Sequence, residues 1–195
     1  VRFAQQEQAT YDAVWTGVAN YGNHSPGAEQ VGRFLEMSGA TEGTVLDAGC
    51  GSGKGALALK EFGFDVTLAD ITPSGLVDEA QGLPFVQVPL WADLHPVAYA
   101  ATRGRAFDYV YCCDVMEHVP PEFTMLVIAR LLEVTKVGAF FSISTVPDGF
   151  GAWVGKPLHQ TVQPYVWWRD HLSEFGELVE GRDVLNAGLF YVRPR

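Results

Sequence analysis

Positive charge is scarce in this sequence. Lys and Arg together number 13 against 23 Asp and Glu in 195 residues, so the net charge is −10. The cations are scattered, and no run or stripe gathers them. A nucleic-acid binder neutralises phosphates with a basic patch, so nucleic acid is not expected as a partner. Cysteine is scarce too: of the three, Cys112 and Cys113 are adjacent and Cys50 stands alone, which builds no disulfide framework. A reducing, cytoplasmic setting is the expectation. No apolar run approaches the roughly 20 residues that a membrane span needs. The first residues are polar, unlike a secretory signal, so no membrane is expected as a partner. The chain starts at Val1 rather than Met, so residue 1 need not be the native start.

Apolar residues and glycine are abundant instead. The chain is 48% hydrophobic and 12% aromatic, with 21 Gly. That composition excludes a disordered chain, and the length suits one domain, 1–195, with a full core. Residues 44–59, TVLDAGCGSGKGALAL, concentrate the glycines. The apolar run Thr44-Val45-Leu46 leads into Asp47, Gly49, Gly51, Gly53 and Gly55, and a helical pattern follows from Ala56. Strand, glycine-rich turn, helix is the pattern. Without Cβ atoms, such a turn brings backbone N–H groups close to a ligand. The helix N-terminus adds unpaired donors and a partial positive charge. A nucleotide-like ligand is therefore expected at the mouth of the turn.

Several ligands compete for such a turn. A P-loop requires G-x-x-x-x-G-K-[ST]. Gly53-Lys54 is present, but Ala48 and Gly55 break both ends. The dinucleotide fingerprint G-x-G-x-x-G/A fits only as Gly51, Gly53 and Ala56. That register starts the turn late, because Gly49 already ends the strand. An NAD-dependent oxidoreductase also lacks a Y-x-x-x-K pair here. The remaining pattern, Asp47-x-Gly49-x-Gly51-x-Gly53, resembles motif I of the class I methyltransferases that use S-adenosylmethionine (SAM), and it matches at all four positions.

The order of the remaining segments fits that resemblance. A second strand, 64–70, ends in Asp70, 23 residues after Asp47. An acid at the tip of the second parallel strand faces a cofactor ribose; NAD-binding folds use the same device. A helix is expected over 73–80 and a third strand from Phe85. The resemblance then implies that Asp93 and the Leu94 backbone N–H bind adenine, with Trp91 or Ala92 packing on it. Asp93 is equally placed to cap the helix that starts at Pro96. The segment FDYVYCCDVMEHVPPE, 107–122, resembles small-molecule methyltransferases of the ubiquinone-biosynthesis type. It sets Asp114, Glu117 and His118 at the carboxyl end of a buried strand. The same place in DNA amino-methyltransferases carries N/D-P-P-Y/F, which is absent here.

Residues 1–40 read as an N-terminal helical cap, with Phe3, Tyr11, Val14, Trp15 and Val18 at helical spacing. Ser25-Pro26 starts a second helix that Gly39 stops. In the resembled family such helices often cover the site, so Tyr21, His24 and Ser25 line it unless 20–27 is an ordinary surface loop. A helix over 121–136 and a fifth strand over 139–146 are expected. The Gly- and aromatic-rich loop 147–155 and His159 follow, and Trp167 and Trp168 are expected to pack. Sixth and seventh strands near 177–182 and 189–192 form a hairpin.

The resemblance implies an α/β, Rossmann-like three-layer sandwich over 44–195, with a seven-stranded, mostly parallel sheet and an antiparallel last strand. It implies a SAM-dependent methyltransferase acting on an O, N or C atom of a small molecule, as a monomer or homodimer. The alternative is a SAM-binding module without transfer. SAM is the one cofactor expected, and no metal. Asp47, Gly49, Cys50, Gly51, Gly53, Asp70, Ile71, Asp93, Leu94 and Asp114 are the expected cofactor residues. His118 and His159 are the candidate general bases, because imidazole titrates in the useful range.

Overall fold

The computed structural model describes residues 2–104 and 106–195. Seven strands form one sheet in the order β3-β2-β1-β4-β5-β7-β6. They are β1 (Thr44–Ala48), β2 (Asp65–Asp70), β3 (Phe85–Gln87), β4 (Phe107–Cys113), β5 (Thr135–Ser144), β6 (Gly176–Val184) and β7 (Ala187–Pro194). The first five are parallel, and β7 runs antiparallel between β5 and β6. After β3 the chain crosses back to the far side of β1, so strand order reverses between β1 and β4. Ligands of open α/β sheets bind in the crevice outside the carboxyl ends of the strands at such a switch point. Gly49 and Asp114 follow those two strand ends directly.

The α-helices among the described residues are α1 (Arg2–Gly17), α2 (Pro26–Glu29), α3 (Val31–Ser38), α4 (Lys54–Glu61), α5 (His95–Thr102), α6 (Pro121–Glu133) and α7 (Tyr165–Phe175). Side chains alternate across each strand, so neighbours serve opposite cores. Leu46, Val110 and Phe141 join Val97, Ile128, Leu131 and Trp168 from α5, α6 and α7. Val45, Tyr111 and Phe140 join Phe34 and Leu59 from α3 and α4. A small third cluster, Val14, Val18 and Leu158, fixes α1 to the segment after β5. The fold class expected from the resemblance is the one observed.

Three local expectations are corrected. Residues 73–80 form no α-helix; only Asp78–Ala80 winds, as a 3₁₀ turn. Ser74 and Thr72 instead turn their hydroxyls to the Asp12 carboxylate, and Gly75 lies against the Trp15 ring, where a Cβ would come within 2.5 Å. The helix begun at Pro26 breaks at Gln30 into α2 and α3, although Ser25 caps it and Gly39, at φ 67°, ends it as expected. Helix α6 stops at Glu133 and β5 begins at Thr135, not 139. The β-branched run Val134-Thr135, and Gly138 lying flat under the Tyr191 ring, favour the strand.

Candidate functional site

The glycine-rich turn is held open by its own backbone. Gly49, Gly51 and Gly53 have φ of 76°, 50° and 74°, the left-handed region that disfavours residues with a Cβ. The Gly49 and Cys50 N–H groups both donate to the Ala69 carbonyl, at 2.8 and 3.2 Å, which ties the turn to the end of β2. Asp70 ends β2 and receives the Gly51 N–H on Oδ2 at 2.9 Å and the Thr72 N–H on Oδ1 at 3.2 Å. Each oxygen keeps a lone pair for a ligand hydroxyl. Burial raises the Asp70 pKa, and these N–H groups oppose the rise.

Two cavities, of about 120 and 280 Å³, lie along this turn and share Trp15, Tyr21, Gly49, Gly51, Asp114 and His118. The smaller adds Asp70, Ile71, Leu90 and Trp91, a polar end and an apolar slot. The larger adds Asp47, Cys50, Asp148, Phe150 and His159. Asp47 is buried and its Oδ2 has no hydrogen-bond partner. Burial first and the Asp70 charge second push its pKa up to about 7, against the Ala56 N–H. A buried carboxylate oxygen without a partner fits a cationic ligand group there.

At the end of β4, Asp114 adopts φ 60° while its N–H donates to the Ser142 carbonyl at 2.8 Å. A 3₁₀ turn, Met116–His118, follows. Glu117 is fully buried: Oε1 accepts from the Ser144 N–H at 2.7 Å and Oε2 has no partner. Burial, then Asp114, raise its pKa well above the carboxylate range. His118 Nδ1 meets the Tyr11 hydroxyl at 2.9 Å. Its imidazole stands edge-on to His159, centroids 4.6 Å apart. Burial, then His159, push the His118 pKa down to about 4, so the ring is neutral at pH 7. His159 Nδ1 lies 2.6 Å from the Val146 carbonyl. A carbonyl only accepts, so Nδ1 carries the hydrogen and Nε2 the lone pair. Asp148 fixes this loop by accepting the backbone N–H groups of Phe150, Gly151, Leu158 and His159.

Helix α1 roofs both cavities. Glu7, Tyr11 and Trp15, spaced by four on one face, line the smaller one. Glu7 is held by Lys156 at 2.6 Å and Gln160 at 3.0 Å, and Asp12 by Thr72 and Ser74. Lys54, which a P-loop would turn to phosphate, donates to the Gly22 carbonyl at 2.8 Å and pins the 20–24 loop.

The structure thus gathers Asp47, Gly49, Cys50, Gly51, Asp70, Ile71, Asp114, His118 and His159 around the cavities. Gly53 lines neither; it caps α4, packed so tightly on Ala80 that a Cβ would come within 2.6 Å. Asp93 and Leu94 line neither. The Asp93 carboxylate is exposed and accepts the His95 N–H at 3.1 Å, one residue ahead of the N-cap Leu94, which is in the core. Leu90 and Trp91 take the wall instead, Trp91 stacked on Phe123 at 5.0 Å. Glu7, Tyr11 and Trp15 are outside the expected set; their signal is the single helix face that they share. The gathering of Glu117 with both histidines was also unforeseen, because His159 is distant in sequence.

The fold is that of the class I methyltransferases. A methyltransferase domain family matches residues 27–178, and the chain belongs to it. The ubiquinone biosynthesis O-methyltransferase of Histophilus somni (strain 2336) is 29% identical over 123 residues, 60% of this chain and 51% of that protein. The chain spans about half the length of the curated relatives it matches. Among solved structures, the DhpI complex with S-adenosylhomocysteine (SAH) superposes with a TM-score of 0.71 at 16% identity, covering 98% and 96% of the two chains. The 1,6-didemethyltoxoflavin-N1-methyltransferase of Burkholderia thailandensis, with 1,6-didemethyltoxoflavin and SAH bound, gives 0.63 at 18% identity, covering 98% and 87%. These likenesses show the fold. Among the described residues no helix is long and apolar enough to cross a membrane.

Proposed function

We propose that this protein transfers a methyl group from SAM to an O, N or C atom of a small-molecule acceptor. The observation that carries this is the pair of cavities meeting at Gly49, Asp114 and His118, one with the Asp70 carboxylate at a polar end beside an apolar slot and one lined by aromatic rings and the imidazoles of His24, His118 and His159. Bound SAM supplies an electrophilic methyl, so the protein's part is chiefly positioning. Asp70 holds the ribose hydroxyls, Leu90 and Trp91 pack on the adenine, and Asp47 faces the ammonium of the amino-acid end. Helix α1 excludes water from above. His159, with its Nε2 lone pair, removes a proton where the acceptor carries one. His118, neutral and engaged by Tyr11, positions the acceptor. The acidic surface supports a small acceptor rather than nucleic acid. Three free, buried thiols support a reducing compartment such as the cytoplasm. The test incubates the protein with SAM and a panel of small hydroxylated, amino and thiol compounds and measures SAH release. Acceptor-dependent SAH is the expected result; SAM binding with no SAH from any compound favours the binding module.

Asp47 makes SAM binding proton-linked. With its pKa pushed up to about 7, its carboxyl is partly protonated near neutral pH in the free protein. An ammonium beside it favours the charged form and pulls the pKa down. Binding therefore releases a fraction of a proton near pH 7, and affinity falls as pH drops from about 7 toward 5. Calorimetry in buffers of different ionisation enthalpy measures the release, and Asp47→Asn should abolish it. Equal heats in all buffers for the unmodified protein would contradict the assignment.

A further inference from the structure

We propose that Glu117, His118 and His159 form a binding site for a divalent transition-metal cation where the two cavities meet. Each residue offers one ligand atom, and the three atoms lie within 4.8 Å of one another, the one such group among the described residues. Nitrogen and oxygen ligands sit about 2.0–2.2 Å from a zinc-sized ion. Around a tetrahedral ion such ligands stand about 3.3–3.6 Å apart, so the trio has to contract by up to roughly 1.5 Å to close on one.

An independent observation points to a ligand. Glu117 has no exposed surface, Oε1 is committed to the Ser144 N–H, and Oε2 has no partner. A buried carboxyl oxygen with nothing to bind is costly, and a cation that takes the place of the carboxyl proton gives that oxygen a partner. The supports around the trio are those of a ligand set. His159 donates Nδ1–H to the Val146 carbonyl, which fixes its ring and aims the Nε2 lone pair, as an outer carbonyl does for metal-bound imidazoles. The Glu117 carbonyl accepts the N–H groups of Gln160 and Thr161 at 2.7 and 2.8 Å, so the two sequence-distant ligand segments are stapled together. Gln160 adds a bond to the His118 carbonyl at 3.2 Å.

Two imidazoles and one carboxylate suit zinc, manganese, iron(II) or cobalt(II), and suit magnesium and calcium poorly. Three protein ligands also leave positions open, and His118 and His159 line the larger cavity, which the acceptor would share with the amino-acid end of SAM. There the ion would take an acceptor hydroxyl or its water. A hydroxyl bound to the ion ionises more readily, its proton passing to water, so with the ion bound this task moves from the His159 imidazole to the metal. That use narrows the acceptor to an oxygen compound and rests on the methyl-transfer reading; cation binding itself does not.

The test uses the full chain stripped with a chelator and titrated with cobalt(II), a spectroscopic probe. One equivalent per chain, with ligand-field absorption bands, is expected. Glu117→Gln and His159→Gln should each weaken binding at least tenfold while circular dichroism and thermal midpoint show a folded protein. Glu117→Gln keeps the shape and removes the ability to ionise on a cation, so it remains folded where a larger change would not. No cobalt bound at micromolar concentration, or equal binding by both folded variants, would overturn the site. SAM calorimetry on the stripped protein separates the two ideas. SAM bound without any cobalt site rejects the cation alone, and cobalt bound without any SAM site rejects the methyl-transfer reading and leaves the cation site standing.

Discussion

Gly49→Ala is expected to weaken SAM binding by about 100-fold or more while leaving a folded protein. Gly49 sits at φ 76°, where an Ala residue costs about 1–2 kcal/mol. Its new Cβ would also lie 2.5 and 2.6 Å from the two methyls of Val115. Relief requires Val115 to move, and Val115 begins the turn that carries Glu117 and His118. Forcing a methyl into such packing costs about 1–3 kcal/mol. Every 1.4 kcal/mol expressed in the bound state is about tenfold in affinity, and Gly49 lines both cavities. Gly32→Ala is the control. Gly32 lies in α3 at ordinary φ, with nothing within 4 Å of a new Cβ. There Ala should stabilise by about 0.5–1 kcal/mol and leave affinity alone. Calorimetry for affinity and urea unfolding for stability measure both; unchanged SAM affinity in Gly49→Ala would remove the turn from the cofactor site.

Trp168→Ala should cost about 3–5 kcal/mol of stability without touching the site. Trp168 leads the fully buried side chains by volume and packs in the cluster shared by the sheet, α6 and α7. Domains of this size are stable by only about 5–15 kcal/mol, so the loss is a large fraction. Its indole N–H has no partner although buried. Trp168→Phe removes that unsatisfied donor together with some volume, so it should cost far less than Ala, roughly 1 kcal/mol or under. Urea unfolding of the two variants reads the difference. Equal losses for Phe and Ala would mean that the N–H has an unseen partner. Helix α7 stands away from both cavities, so SAM affinity per folded molecule should not change in either variant.

The parts of this molecule that the sequence disclosed are those fixed by local chemistry. Gly49 to Gly53 is a turn whose positive φ angles need glycine, so its residues announce its shape. Strand β4, with its run from Tyr109 to Cys113, is buried on both faces and therefore reads as apolar throughout. The hairpin of β6 and β7 follows from Asn186, which takes φ 64° at the turn. What stayed hidden depends on distant partners. Residues 73–80 have the composition of a helix, but Thr72, Ser74 and Gly75 are claimed by Asp12 and Trp15 of α1, some 60 residues away. The start of β5 at Thr135 depends on Tyr191 lying over Gly138. Asp93 stands at the expected distance after β3, yet its carboxylate satisfies the first turn of α5 and Leu90 and Trp91 fill the wall. Glu7, Tyr11 and Trp15 look like part of an ordinary amphipathic face until the rest of the chain folds beneath them.

The central claim is that the crevice beyond β1 and β4 is a SAM site. Calorimetric titration of the unmodified chain with SAM and, separately, with NAD tests it most directly. One equivalent of SAM should bind, with SAH competing for the same site and NAD at least 100-fold weaker. NAD binding at one equivalent with no heat from SAM or SAH would contradict it.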